Sequence, residues 1–441
     1  MKILKRALWV VLALIVVVVY LNYPKLNILA GYSAKNTASS VFVGERSLAF
    51  TDSTDNNFSP INLTTDKINR DEQWAKGSVY GLLTRKAVYR PGLGAVLVND
   101  DFDPAAPYAV PNRYPNANLA PYPFGKGAAV DTTFSHVDYA KLQVAVDSLF
   151  APKNKTRALV ILHKDQLLYE KYSAPITKDS KLLGWSMTKS ITSTMFGILQ
   201  TQGGIDVHAP APIEAWKNDE RKKVTIHNLL QMNSGLEWVE DYNTISDVTK
   251  MLFLEEDMTQ TQITKPLVGT PNATWNYSSG TTNLLSGILR QQFASHQEYL
   301  DFWYRELIDK IGMNSMLIET DMSGNYVGSS YAWATPRDWA KLGLLYLHNG
   351  CWNNEELFTE DWVKYATTPT PTSDGWYGAQ IWLNAGKRYP DVPKSMYSFN
   401  GYQGQNVFIL PEQDLVIVRM GLTKNADINV FLSAVIASIK N

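Results

Sequence analysis

Cysteine is almost absent. Cys351 is the single one among 441 residues, so no internal disulfide can form and no cysteine cluster is available to a metal. It reads as a small, buried apolar residue. An excess of either charge is also missing. Lys and Arg together number 41 against 42 Asp and Glu, and no basic run follows the first few residues, which argues against a nucleic-acid binder. A phosphate-binding loop is missing too. Gly92-Leu93-Gly94 lacks the third glycine and the strand–turn–helix context that such a loop needs. Aromatics, by contrast, are plentiful, with 13 Trp and 23 Tyr. Packing accounts for most of them, and aromatic-lined grooves are a second use.

Met1-Lys2-Ile3-Leu4-Lys5-Arg6 is basic and is followed by unbroken apolar sequence from Ala7 to Leu21. The positive residues would stay inside, with Tyr20 and Tyr23 at the far interface. No small-x-small cleavage site follows directly. Residues 1–23 therefore read as an uncleaved membrane anchor, with a cleaved export signal as the alternative. Either exports the rest of the chain. Residues 24–135 show no long periodic segment. Short β-like pieces at Ser40–Val43 and Gly94–Val98 stand among turn-rich stretches, and 103–127 is dense in Pro, Asn, Ala and Tyr. This region is expected to be an irregular extension wrapped over the surface.

Regular structure is expected from His136. An amphipathic helix (137–150) precedes an apolar hairpin, 157–163 and 166–172, turning at Lys164-Asp165 with His163 as a solvated strand end. From 204 the pattern turns to helices: 224–235 ending at Gly235, then 281–293, 297–311 and 335–349. The last has Thr335 as N-cap and Pro336 at its first position. Strands return at 378–383, 406–410 and 415–420, and a helix closes the chain. The fold class is α+β: an antiparallel sheet built from both ends of this region (136–203 and 370–441), flanked by helices, with an inserted all-helical subdomain (204–369).

The organising stretch is Gly184-Trp185-Ser186-Met187-Thr188-Lys189. A serine stands three residues before a lysine, one helical turn away. Met187, Ile191, Met195 and Ile198 would face one buried side. A serine hydroxyl needs a base, and a lysine can serve once burial and a helix N-terminus disfavour its charged form. The same helix end offers N–H groups to an oxyanion. Trp275-Asn276-Tyr277-Ser278-Ser279-Gly280 could bring a phenol to the pair as a proton relay, provided neighbouring cations lower its pKa. Ser398-Phe399-Asn400-Gly401-Tyr402 could bring an edge strand close, with the Tyr402 N–H as second oxyanion donor beside that of Ser186.

Together these three pieces, in order and spacing, resemble the serine β-lactamase and penicillin-recognising superfamily over about 137–441. The nearest branch looks like class C β-lactamases, D-alanyl-D-alanine carboxypeptidases, family VIII esterases and 6-aminohexanoate-dimer hydrolases. Tyr277-Ser278-Ser279 falls where the family carries Tyr-x-Asn, and Phe399-Asn400-Gly401 where it carries Lys- or His-Thr-Gly. The resemblance implies Ser186 as nucleophile, Lys189 as base and Tyr277 as relay. It puts Ser279, Asn400, Gly401 and Tyr402 at the substrate, and it implies no metal or other cofactor. The two departures weaken recognition of a substrate carboxylate and favour an ester or a linear amide. A β-lactamase, a D-Ala-D-Ala carboxypeptidase or a non-turnover penicillin sensor is the alternative. A Ser-His-Asp triad is a further one: Gly184 to Thr188 approaches a G-x-S-x-G elbow but lacks its second glycine, and His208, His227, His296 or His348 would have to serve.

Overall fold

A computed structural model describes residues 2–440. Helix α1 (Lys2–Ala38) runs straight on through residues expected to be irregular. Pro24 lies inside it. A proline ring lacks the N–H owed to the residue four back, here Tyr20, and crowds its carbonyl. The helix accordingly bends by 45° between Tyr20 and Asn22. Before the bend Leu8, Trp9, Val10 and Val16 to Val19 are exposed, whereas Ile28, Ala30, Tyr32, Ala34 and Ala38 are buried. No single helix among the described residues is long and apolar enough to cross a membrane, and Lys5–Tyr20 with Asn22–Val43 pass that test only as a bent pair. Ser40–Val43 is not β-like but belongs to a π-helical turn, Ser39–Val43.

The buried half of α1 packs on a four-stranded antiparallel sheet: β1 (Thr64–Asn69), β2 (Trp74–Val79), β3 (Leu83–Arg90) and β4 (Gly94–Val98), in that order. The seam is alanine on alanine, with Ala34 and Ala38 against Ala75, Ala87 and Ala95. Contact is close enough that a Cβ on Gly77 would fall 2.8 Å from the Ala30 carbonyl oxygen. The expected irregular extension is therefore a helix on a sheet. Only beyond Val98, up to the start of the next helix, do helices and strands stay absent.

Next come α2 (Tyr139–Leu149), β5 (Thr156–His163), β6 (Gln166–Tyr172), α3 (Thr188–Thr201), α4 (Ser279–Arg290), α5 (Pro336–Leu347), β7 (Trp382–Leu383), β8 (Tyr397–Gly401), β9 (Gln405–Leu410), β10 (Leu415–Gly421) and α6 (Ile428–Ser438). The main sheet has the order β7-β8-β9-β10-β5-β6 and is antiparallel throughout. Its two-residue alternation feeds two cores. Leu159, Ile161, Phe408 and Ile417 pack with Leu142, Val146, Leu432 and Val435 of α2 and α6. Val160, Leu162, Val407 and Val418 share the other core with residues of α3 and α5. The α+β sandwich flanked by helices is the architecture read from the sequence, but the insertion is not all-helical: short strands stand at Leu317–Ile318, Ala332–Ala334, Cys351–Trp352 and Glu355–Glu356.

Several details differ. Helix α3 is buried on every side from Thr188 to Leu199, not along one stripe. It tolerates this because its hydroxyls find carbonyls: Ser190 donates to Gln380, Thr192 to Gly328 and Ser193 to Ala379. The 224–235 helix covers only Ile226–Leu230, set by a Thr225–Asn228 capping box. Of 378–383, only Trp382 and Leu383 pair with β8. His163 is buried rather than solvated, its Nε2 2.9 Å from Nε2 of His136. Cys351 is only partly buried.

Glu319 ties the N-terminal layer to the body. Buried completely, it accepts from Lys35 Nζ at 2.6 Å, Ser39 Oγ at 2.8 Å, the Ala95 N–H at 2.7 Å and Trp333 Nε1 at 3.0 Å. Breaking a buried pair strands the other charge, which costs about 3–5 kcal/mol. Glu319→Ala should therefore lower unfolding stability by that amount in a urea titration. A loss within the range of surface substitutions would show that Glu319 does not hold the layers together.

Candidate active site

Ser186 lies in a single 3₁₀ turn, Trp185–Met187, that leads into α3. Trp185 has φ +49°, a left-handed conformation that costs a non-glycine residue energy and recurs at functional sites. It aims the indole away from the cleft, edge-on to Tyr402 at 5.6 Å and stacked on Tyr32 of α1 at 6.2 Å. Ser186 is left facing a cleft of about 420 Å³, together with Tyr277, Glu240, Asn400, Gly401 and Tyr402.

Lys189, one turn along, is 1% exposed. Its Nζ lies 3.1 Å from Ser186 Oγ, 2.9 Å from Ser279 Oγ and 3.0 Å from the Ser329 carbonyl oxygen. Burial lowers its pKa to about 8, against the opposing pull of Glu240. A neutral amine carries two hydrogens and one lone pair. Ser329 can only accept. Ser279 must also accept, because its own hydroxyl hydrogen goes to Glu240 Oε1 at 2.5 Å. Both amine hydrogens are thereby taken, and the lone pair is left pointing at the Ser186 hydroxyl. After proton transfer the ammonium has three donors for the same three oxygens.

Glu240 was not anticipated. Its carboxylate also accepts from the Ser279 N–H at 2.9 Å, Trp238 Nε1 at 2.5 Å and the Tyr242 hydroxyl at 3.2 Å. As one of three acids in Glu237-Trp238-Val239-Glu240-Asp241 it carries no spacing signal that singles it out. Ser279, expected to touch substrate, is fully buried at the start of α4 and spends its hydroxyl between Lys189 and Glu240.

Tyr277 sits with its ring centroid 4.9 Å from Lys189 Nζ, in an aromatic cage with Trp382 at 5.3 Å and Tyr377 at 5.7 Å. Its phenol is not acidified as expected. Burial and then Glu240 raise its pKa well above 10, and contact with the Ser186 side chain offsets this only in part. Tyr277 is thus a neutral hydroxyl at neutral pH, able to accept one proton while giving another.

Gly401 and Tyr402 follow from β8. A Cβ at Gly401 would lie 2.0 Å from the Gly184 carbonyl oxygen, so the close approach is to the backbone beside Ser186. Phe399 is buried against Tyr346, while Asn400 faces the cleft and accepts from Asn406 Nδ2 at 2.8 Å. None of the six histidines lines the cleft. His208 and His227 stack on each other and His348 meets Asp165 at 2.7 Å, which removes the histidine triad.

A beta-lactamase family model matches residues 146–425. The chain belongs to the beta-lactamase family. A 6-aminohexanoate-dimer hydrolase of Paenarthrobacter ureafaciens is 22% identical over 297 residues, covering 62% of this chain and 74% of that one. Solved structures agree in fold. A family VIII carboxylesterase superposes with a TM-score of 0.56 at 14% identity, over 71% of this chain and 98% of its own. A penicillin-binding protein homologue of Caulobacter crescentus does so with 0.55 at 15%, over 71% and 99%.

The Lys189 environment makes a signed prediction. With Lys189 as the proposed base, only its free amine can take the Ser186 proton, so kcat/KM should rise as pH passes about 8. Glu240 favours the ammonium, so Glu240→Gln should move that rise to lower pH. A pH–rate profile whose midpoint does not move, or moves up, would contradict the electrostatic role.

Proposed function

We propose that this beta-lactamase-family hydrolase cleaves an ester or a linear amide through an acyl-enzyme on Ser186. One observation carries the reading: Lys189 Nζ lies 3.1 Å from Ser186 Oγ, with Ser279 and the Ser329 carbonyl placed to accept both hydrogens of its free amine. Lys189 takes the proton as Ser186 Oγ attacks the carbonyl carbon. The N–H groups of Ser186 and Tyr402 hold the oxyanion. Tyr277 then passes a proton to the leaving alcohol or amine, and water releases the acid by the same steps in reverse.

The choice of bond rests on what the cleft lacks. Phe399 is buried where relatives hold a cation, and Asn400 and Gly401 are what the third motif presents. Two of the three similar proteins, a 6-aminohexanoate-dimer hydrolase and a carboxylesterase, carry names that lean the same way, and the penicillin-binding protein homologue carries one that does not. One observation favours the second reading, a β-lactamase or D,D-peptidase. Arg388, over the Trp382 ring at 5.0 Å, and Lys424 both line the cleft and could meet a carboxylate. The exposed apolar part of α1 is proposed as the membrane anchor, with the catalytic body exported.

Ser186→Ala should abolish covalent labelling by a fluorophosphonate probe, and persistent labelling would put the nucleophile elsewhere. Lys189→Ala should cut turnover by about 10²–10⁴-fold; a loss under tenfold would mean another base. A side-by-side assay with p-nitrophenyl esters, aminohexanoate dimers, nitrocefin and D-Ala-D-Ala peptides separates the two substrate readings.

A further inference from the structure

A second cavity, of about 270 Å³, lies between α1 and the catalytic body. Its walls are mainly Ile28, Leu29 and Tyr32 of α1 with Ile61, Phe253 and Trp185, and Ser59, Asn243, Thr244 and Thr249 add a few neutral polar groups. Lys25 is its one charged lining residue, and that side chain is exposed and donates to Asn22 at 2.9 Å. The catalytic cleft is different, lined by Glu240, Asp241, Arg388 and Lys424. Yet the two are neighbours, since Tyr242, Asn243 and Tyr402 line both. The partition is the stacked pair Tyr242–Tyr402, with ring centroids 5.3 Å apart. Trp185 and Ser186, adjacent in the chain, face one chamber each.

We infer that the substrate is an ester with a long unbranched aliphatic acyl chain, which runs from Ser186 past Tyr242 and Tyr402 into this apolar chamber. The inference rests on the acyl-enzyme reading above and names its substrate class. An apolar cavity gives nothing to a polar group, whereas each buried methylene gains free energy. The shared Tyr242–Tyr402 wall puts this chamber within reach of a molecule held at Ser186, whose chain passes once the two rings part. The chamber also sits just beyond the exposed apolar run of α1, the side from which an amphiphile in an apolar phase would arrive. In the reaction the Ser186 Oγ–C bond forms first to give the tetrahedral oxyanion, whose collapse breaks the ester C–O bond. The alcohol leaves with the relayed proton, and water then frees the fatty acid.

The test uses the full chain held in amphipol, which has no free alkyl detergent to compete, and p-nitrophenyl esters from acetate to decanoate. The expected result is a rise in kcat/KM of about fourfold per methylene until the chamber is full. Leu29→Trp and Thr244→Phe, which narrow the chamber from two sides, should each lower the decanoate-to-acetate ratio by about tenfold or more. A flat or falling series in the unaltered protein, with acetate still cleaved, would overturn the inference. So would a ratio unchanged in both variants. If no ester is cleaved at all, the ester reading fails by itself, separately from the linear-amide one. The chamber is then judged by calorimetry of dodecanoate with Ser186→Ala: saturable binding weakened by Leu29→Trp supports it, and no binding overturns it.

Discussion

The site depends on the direction of one short hydrogen-bond chain. Glu240, an acceptor only, fixes the hydroxyl hydrogen of Ser279. That makes Ser279 an acceptor toward Lys189, and the Ser329 carbonyl takes the second amine hydrogen. What remains is a lone pair aimed at Ser186. A water-exposed lysine would be protonated and would present a donor there instead. Burial brings the neutral form within reach from about pH 8, and Glu240 keeps the amine basic enough to hold a proton once it arrives.

The rest of the molecule keeps that chain dry and in place. Helix α3 is enclosed on all sides and satisfies its own hydroxyls. The aromatic cage of Tyr377 and Trp382 fixes Tyr277. Trp185, in its left-handed conformation, is braced between Tyr402 and Tyr32. The N-terminal helix thus reaches the residue next to Ser186, the proposed nucleophile. Its own position is held by Glu319 and the alanine seam.

Legibility in the sequence followed the strength of local signals. Helix α5 announces itself through Thr335, Pro336 and Asp338, and the hairpin β5–β6 and the strands β9 and β10 through short apolar runs bounded by turn residues. Ser186 and Lys189 are legible because a single helical turn joins them. The buried half of α1 was not, since its contacts are Ala, Gly and Ser, which carry little hydropathy contrast while permitting the closest packing. Glu240 and the inward turn of Ser279 were hidden for another reason. Their partners lie 39 and 90 residues away in the chain, so no local spacing encodes them. His163 was misread because the histidine that covers it, His136, is also remote.

The central claim is the protonation state of one amine, and it can be observed directly. With side-chain nitrogen labelling, Lys189 Nζ can be titrated by NMR in the unliganded protein, its signal assigned by loss in Lys189→Arg. The account predicts a midpoint near 8. A midpoint at or above the ordinary lysine value of about 10.4 would mean a charged donor facing Ser186, and would contradict it.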